Sequence, residues 1–179
     1  IEAALIAQNR APGLLRSNYS FMHLKGFDED FWQKMRAETR KRTKKALNYP
    51  IIATDIDPAA VNAAKKNAQT AGVDNLIEFD VCDFSESKIP EQGGIVVVNP
   101  EYGERLGEVK ELETTYKRLG DFLKQKCSGY NGYILIGNMD LAKKVGLKAS
   151  RRFIFFNADI ECRLLKYEMY AGTKQAQEI

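Results

Sequence analysis

An α/β protein with a mostly parallel sheet is the fold class that this 179-residue sequence predicts, and three observations carry it. From residue 51 onward, β-prone and helix-prone segments alternate in the order of strand–helix–strand units. Residues 94–98 form an unbroken apolar run after a Gly-Gly turn, which reads as a strand buried on both faces and expected near the sheet centre. Residues 151–170 hold two β-rich stretches joined around Asn157, Ala158 and Asp159, which predicts an antiparallel hairpin at the end. With 44% hydrophobic residues the chain has material for one core. No apolar run approaches the roughly 20 residues that a membrane span needs.

Taken in order, residues 1–8 read as helix, and residues 9–28 as irregular chain punctuated by Pro12, Gly13 and Gly26. Residues 29–47 form a long charged helix closed by Asn48 and Pro50, with Phe27, Phe31, Trp32 and Met35 as its packing face. A short strand at 51–54 leads into a helix at 58–71, with Asp57 as N-cap, Pro58 at its first position and Gly72 as terminator. A strand at 76–81 follows. Val109, Leu112, Tyr116, Leu119 and Leu123 recur at steps of three and four, so residues 109–123 are an amphipathic helix packing on the sheet. A strand at 132–136 and a short helix at 140–145 precede the hairpin. The organisation expected is a helical, basic insertion region at 1–50 and an α/β core at 51–179.

The charge balance, +3 overall, is uneven: residues 1–50 carry ten Lys/Arg against five Asp/Glu, which suits a polyanionic partner. Cys82, Cys127 and Cys162 are odd in number and widely spaced, so neither a disulfide framework nor a metal knuckle is expected, and a reducing cytoplasm is the simplest home. One histidine, His23, excludes a multi-histidine metal site, and no metal is expected.

Ligands of doubly wound sheets sit beyond the carboxyl ends of the strands. There, Asp55 can accept hydrogen bonds from ribose hydroxyls, whereas Asp57 has a ready explanation as a helix cap. Asp83 can accept from an adenine amine while Phe84 covers the ring, although an acid in such a loop is also an ordinary turn residue. The sharpest feature follows the apolar strand: Asn99-Pro100-Glu101-Tyr102-Gly103-Glu104-Arg105-Leu106. Transfer of a group to an exocyclic amine requires its lone pair to be localised, and acceptors aimed at the amine hydrogens do this. The Asn99 side-chain oxygen and Pro100 carbonyl can be those acceptors, with Tyr102 stacking on a base turned out of its helix. The plainer reading is that Asn-Pro initiates a turn.

With these residues in view, the chain resembles the THUMP-linked guanine-N2 methyltransferases of large-subunit ribosomal RNA over nearly its whole length. Residues 1–7, Asn9-Arg10-Ala11-Pro12-Gly13-Leu14, Asp55-Ile56-Asp57-Pro58, 99–106 and 160–167 are similar to family segments in the family's order. The resemblance implies the class I S-adenosylmethionine-dependent methyltransferase fold, a Rossmann-like sheet with a C-terminal antiparallel hairpin. It also implies S-adenosylmethionine as cofactor, methylation of a guanine N2 in ribosomal RNA, Asp55 and Asp83 on the cofactor, and Asn99, Pro100 and Tyr102 on the target base. Position 101 departs from the family: Glu101 stands where the wider pattern has proline, so the loop loses one source of rigidity. The family's glycine-rich loop and first strand would precede Ile1, as would its THUMP and other upstream domains, and they are expected there rather than in this chain.

Arg36, Arg40 and Lys44 recur every fourth residue, with Lys41 and Lys45 beside them, a basic stripe along which an RNA backbone can lie; a solvated surface helix reads equally well. By the resemblance, ribosomal RNA is the expected partner, and no membrane is expected. Rival readings are methylation of another planar nitrogen, such as DNA adenine or a protein glutamine, and a noncatalytic RNA-binding module.

Overall fold

In a computed structural model, the backbone is described for residues 1–101, 106–157 and 160–170, and side chains for all of these except 106–111, 157 and 160. The chain divides into two compact units, Ile1–Asp83 and Phe84–Ile179.

In the first unit, α1 (Glu2–Ala7) and α2 (Glu29–Lys41) precede β1 (Ile51–Asp55), α3 (Pro58–Ala71) and β2 (Ile77–Val81). The ends of α3 are as its sequence dictates. Asp57 Oδ1 accepts from the Ala59 amide at 2.8 Å, Pro58 opens the first turn, and Gly72 takes the left-handed conformation at φ 66°. β1 and β2 pair in parallel, from Ile51↔Ile77 to Asp55↔Val81. Ala4, Ala68, Val73 and Ile77 form the core beneath them.

α2 stops at Lys41, six residues short of the expected end. Two bonds divert the chain: Lys44 donates its amide to the Gln8 carbonyl at 2.7 Å, and Asn9 Nδ2 donates to the Arg42 carbonyl at 3.4 Å. Like charges at positions 40, 41, 42, 44 and 45 also oppose another helical turn. The aromatic face of α2 is split as well. Trp32 packs edge-on against Tyr19 and Phe21, and Phe27 against Phe21, but Phe31 is 64% exposed and Met35 40%, so these two do not belong to a packing face.

The second unit holds β3 (Gly94–Val98), α4 (Leu106–Lys126), β4 (Tyr130–Ile136), α5 (Met139–Lys144), β5 (Arg151–Asn157) and β6 (Ile160–Glu168). Its strand order is β3-β4-β6-β5; β3 runs parallel to β4, and β6 antiparallel to both β4 and β5. The expected C-terminal hairpin is thus β5–β6. Tyr116, Leu119 and Leu123 of α4 bury against Ile134, Ile136, Leu165 and Tyr167, matching the amphipathic spacing. Burial pushes the Cys127 thiol up to about 11, and none of the three cysteines is in a disulfide.

β3 does not lie at the centre of its sheet. It is an end strand, and Ile95 and Val97 on one face are 67% and 69% exposed. Among the described residues, β1 pairs with β2 alone and β3 with β4 alone. An apolar run of this kind reports that a strand is made to be covered, not what covers it.

Gly120 is where α4 meets α5: a Cβ there would run into the Val145 carbonyl. Gly120→Ala is expected to destabilise by about 1–3 kcal/mol through overpacking against backbone that cannot yield. In thermal unfolding this reads as a midpoint lowered by about 2 to 12 °C; an unchanged midpoint would mean that the two helices separate at no cost.

Candidate active site

The first group of candidate residues leaves the carboxyl ends of β1 and β2. Parallel pairing continues one step past the strands, where the Cys82 amide donates to the Asp55 carbonyl at 3.1 Å. Asp55 and the loop carrying Asp83 are therefore neighbours at one end of the sheet. Asp55 is exposed and does have local work: its Oδ1 accepts from the Asp57 amide at 2.9 Å. The bond leaves the second carboxylate oxygen available to a hydroxyl donor, since an ionised carboxylate has about four acceptor sites. Asp83 is half-buried. Two acids from adjacent strand ends, one partly desolvated, suit the ribose hydroxyls and exocyclic amine of a nucleoside. Phe84 has a packing role within the second unit, with its ring edge-on to Phe122 at 5.7 Å and the Arg118 guanidinium 5.0 Å above it.

The second group follows β3. Asn99 comes directly after the strand and is exposed, and Pro100 is half-buried. Glu101 is exposed, while its carbonyl accepts from the hydroxyl of Tyr116 at 2.9 Å. Tyr116 lies in α4 and is fully buried, so the loop is pinned from the core at the position where the family pattern has proline. Sequence spacing marked Tyr116 only as apolar; its hydroxyl, an expensive group to bury unpaired, is the signal that it had a polar partner. Tyr102 lies outside the described residues.

At the same end of this sheet as Asn99, the β5–β6 ladder runs on past Ile136 through Phe155↔Cys162 and Phe156↔Glu161. Phe155 is 50% exposed and Phe156 72%, an aromatic pair that the sequence reading took only as strand. Four consecutive large apolar residues on an end strand were the available sign.

The basic stripe is not continuous. Arg36 is buried, donates from Nη1 to the Arg16 carbonyl at 3.0 Å and from Nη2 to the Leu14 carbonyl at 2.8 Å, and sits 5.5 Å from the centre of the Trp32 ring. It ties residues 14–16 to α2, a structural job that leaves no face for a phosphate. Arg40 is exposed on the last turn of α2, and Lys44 is exposed beyond the helix end.

Comparison with known proteins identifies the family. The family model for the RMKL-like methyltransferase domain matches residues 1–166. The ribosomal RNA large subunit methyltransferase K/L of Shewanella baltica is 38% identical over 176 residues, which cover 97% of this chain and 25% of that protein. The chain thus spans about a quarter of that relative's length. Among solved structures, the methyltransferase SMU.472, complexed with SAH, superposes with a TM-score of 0.87 at 25% identity, over 96% of this chain and 45% of that one. A Listeria monocytogenes protein described as an N6-adenine-specific DNA methylase superposes with a TM-score of 0.80 at 28% identity, over 94% and 43%. The fold is that of the α/β methyltransferases, and the chain belongs to the RMKL-like methyltransferase domain family.

Proposed function

We propose that this chain is the methyl-transferring part of an S-adenosylmethionine-dependent RNA methyltransferase acting on the exocyclic N2 amine of a guanine in large-subunit ribosomal RNA. The observation that carries the reading is Asn99-Pro100 at the carboxyl end of β3, on a loop whose next carbonyl is fixed by Tyr116. Two carbonyl acceptors of this kind hold the two amine hydrogens and turn the lone pair out of conjugation toward the methyl donor. As the nitrogen takes up the methyl group, whose bond to the sulfonium breaks to leave a neutral thioether, the nitrogen would turn positive, and the same two oxygens would stabilise that charge before one proton leaves to solvent. Holding the amine in line is the main task, because the sulfonium supplies an already activated methyl group when bound.

Asp55 would take the cofactor's ribose with its free oxygen, and Asp83 the adenine amine. Support comes from the pairing of Cys82 with Asp55, which sets the two acids at neighbouring strand ends, and from the SAH bound by the related SMU.472. Tyr102 would stack on the target base. Arg40 and Lys44 keep their part in holding RNA; Arg36 is withdrawn from it. Support for ribosomal RNA is the K/L methyltransferase relative together with the basic residues 40–45.

A second reading, methylation of adenine in DNA, has the Listeria relative in its favour, since an Asn-Pro loop suits any planar amine. One experiment separates the two. The intact protein is incubated with methyl-labelled S-adenosylmethionine and either ribosomal RNA transcripts or duplex DNA, and the labelled nucleosides are identified after digestion. Label in N2-methylguanosine from RNA is expected. Label in N6-methyladenine from DNA, with none in RNA, would replace this reading with the second.

A further inference from the structure

At the other end of β1 and β2 from Asp55 and Asp83, a groove of 590 Å³ opens between the segment leading into β1 and the start of β2. That volume falls within the range of about 300 to 1,000 Å³ usual for ligand sites. Its walls include Lys45, Asn48, Tyr49, Asn75 and Glu78. Tyr49 is 54% exposed, although an aromatic ring beside a groove of this size has apolar surface to bury. The run leading into the groove is Arg40-Lys41-Arg42-Thr43-Lys44-Lys45, five cations in six residues, each of the five exposed. No carboxylate pairs with any of them among the described residues. The run is held in place, because its backbone is bonded to Gln8 and Asn9.

We propose that this run and groove form a docking site for single-stranded RNA, with phosphates along residues 40–45 and an unpaired base against Tyr49. The charge decides the occupant. Unneutralised cations at this density attract a polyanion, and displacing its counterions drives binding. An exposed aromatic ring beside them offers the stacking face that every base can use. Glu78, the one acid on the wall, keeps phosphate out of the groove itself, while the amides of Asn48 and Asn75 can meet base edges in either hydrogen-bonding sense. The site rests on the RNA reading above and adds to it a second hold on the substrate, at the opposite end of β1 and β2 from Asp55 and Asp83.

The test is titration of a fluorescein-labelled, unstructured oligouridylate of about 12 nucleotides with the intact protein. Tyr49→Ala is expected to weaken binding about 5- to 100-fold without changing the salt slope, and Tyr49→Phe to restore it, because the ring and not the hydroxyl stacks. Lys44→Gln with Lys45→Gln is expected to flatten the salt slope by about 1.4. Parental affinity in Tyr49→Ala, as when the groove takes an acidic peptide instead, would overturn the site while leaving the RNA reading to stand on methyl incorporation by the parent. Should the parent methylate no RNA, the RNA reading falls, and the oligouridylate titration still decides the groove: loss of binding in Tyr49→Ala upholds it, and no binding by the parent refutes it.

Discussion

Asn99→Ala is expected to lower methyl transfer by the intact protein about a hundredfold or more, with RNA affinity nearly unchanged. On the mechanism proposed above, the side-chain oxygen it removes would act on the reacting amine as charge develops, and preorganised groups aimed at such charge are worth about 100- to 1,000-fold. It contributes little to docking, which the cations and stacking surfaces dominate, so kcat falls while the RNA dissociation constant holds. Asn99 is exposed at the end of β3, which keeps the cost to folding small. The measurement is single-turnover transfer at saturating RNA beside direct titration of RNA. Parental turnover would remove Asn99 from the mechanism; equal loss in affinity and rate would make it a docking residue instead.

What the sequence disclosed and what it did not divides along the range of the interactions involved. The ends of α3 could be read directly, because Asp57, Pro58 and Gly72 act on backbone groups within a few positions of themselves. The burial of Tyr116, Leu119 and Leu123 was legible from helical period alone. The end of α2 was not, since bonds from Gln8 and Asn9, more than thirty positions away, divert the chain at Arg42 and Lys44. Arg36 misled for the same reason: its spacing to Arg40 describes a surface stripe, yet the carbonyls of Leu14 and Arg16 draw it inward. Among the candidate site residues, Asp55 and Asp83 in the first unit and Asn99 and Pro100 in the second were visible by type and order, because ligands of such sheets sit beyond strand ends. The second bond of Asp55, to the Asp57 amide, and the packing of Phe84 on Phe122 depend on local turn geometry and on a partner 38 positions away. Neither leaves a trace in composition or period.

Tyr116→Phe is expected to lower kcat about tenfold to a hundredfold, although Tyr116 touches no substrate. Its hydroxyl donates to the Glu101 carbonyl at 2.9 Å, and Glu101 occupies the position at which the family pattern has a rigid proline. Removing the hydroxyl frees a loop that has no proline at that position to stiffen it, and a displacement near 1 Å at a reacting amine costs about a hundredfold. On the proposed mechanism Tyr116 would thus be a positioning residue, acting through Glu101 on Asn99 and Pro100. Since it also lies in the core, stability must be separated from positioning. The lost bond costs about 1 kcal/mol of stability, whereas Leu165→Ala, elsewhere in the same core, costs about 2–5 kcal/mol and is expected to keep kcat well below its melting temperature. KM for the cofactor is expected to stay constant in Tyr116→Phe, since Asp55 and Asp83 are untouched. The sharpest readout is the double change: Glu101→Pro added to Tyr116→Phe is expected to recover part of the lost turnover, because the ring restores by covalent restraint what the hydroxyl supplied by a hydrogen bond. A coupling energy of zero between the two positions, or parental kcat in Tyr116→Phe, would show that the loop holds its shape without the clamp.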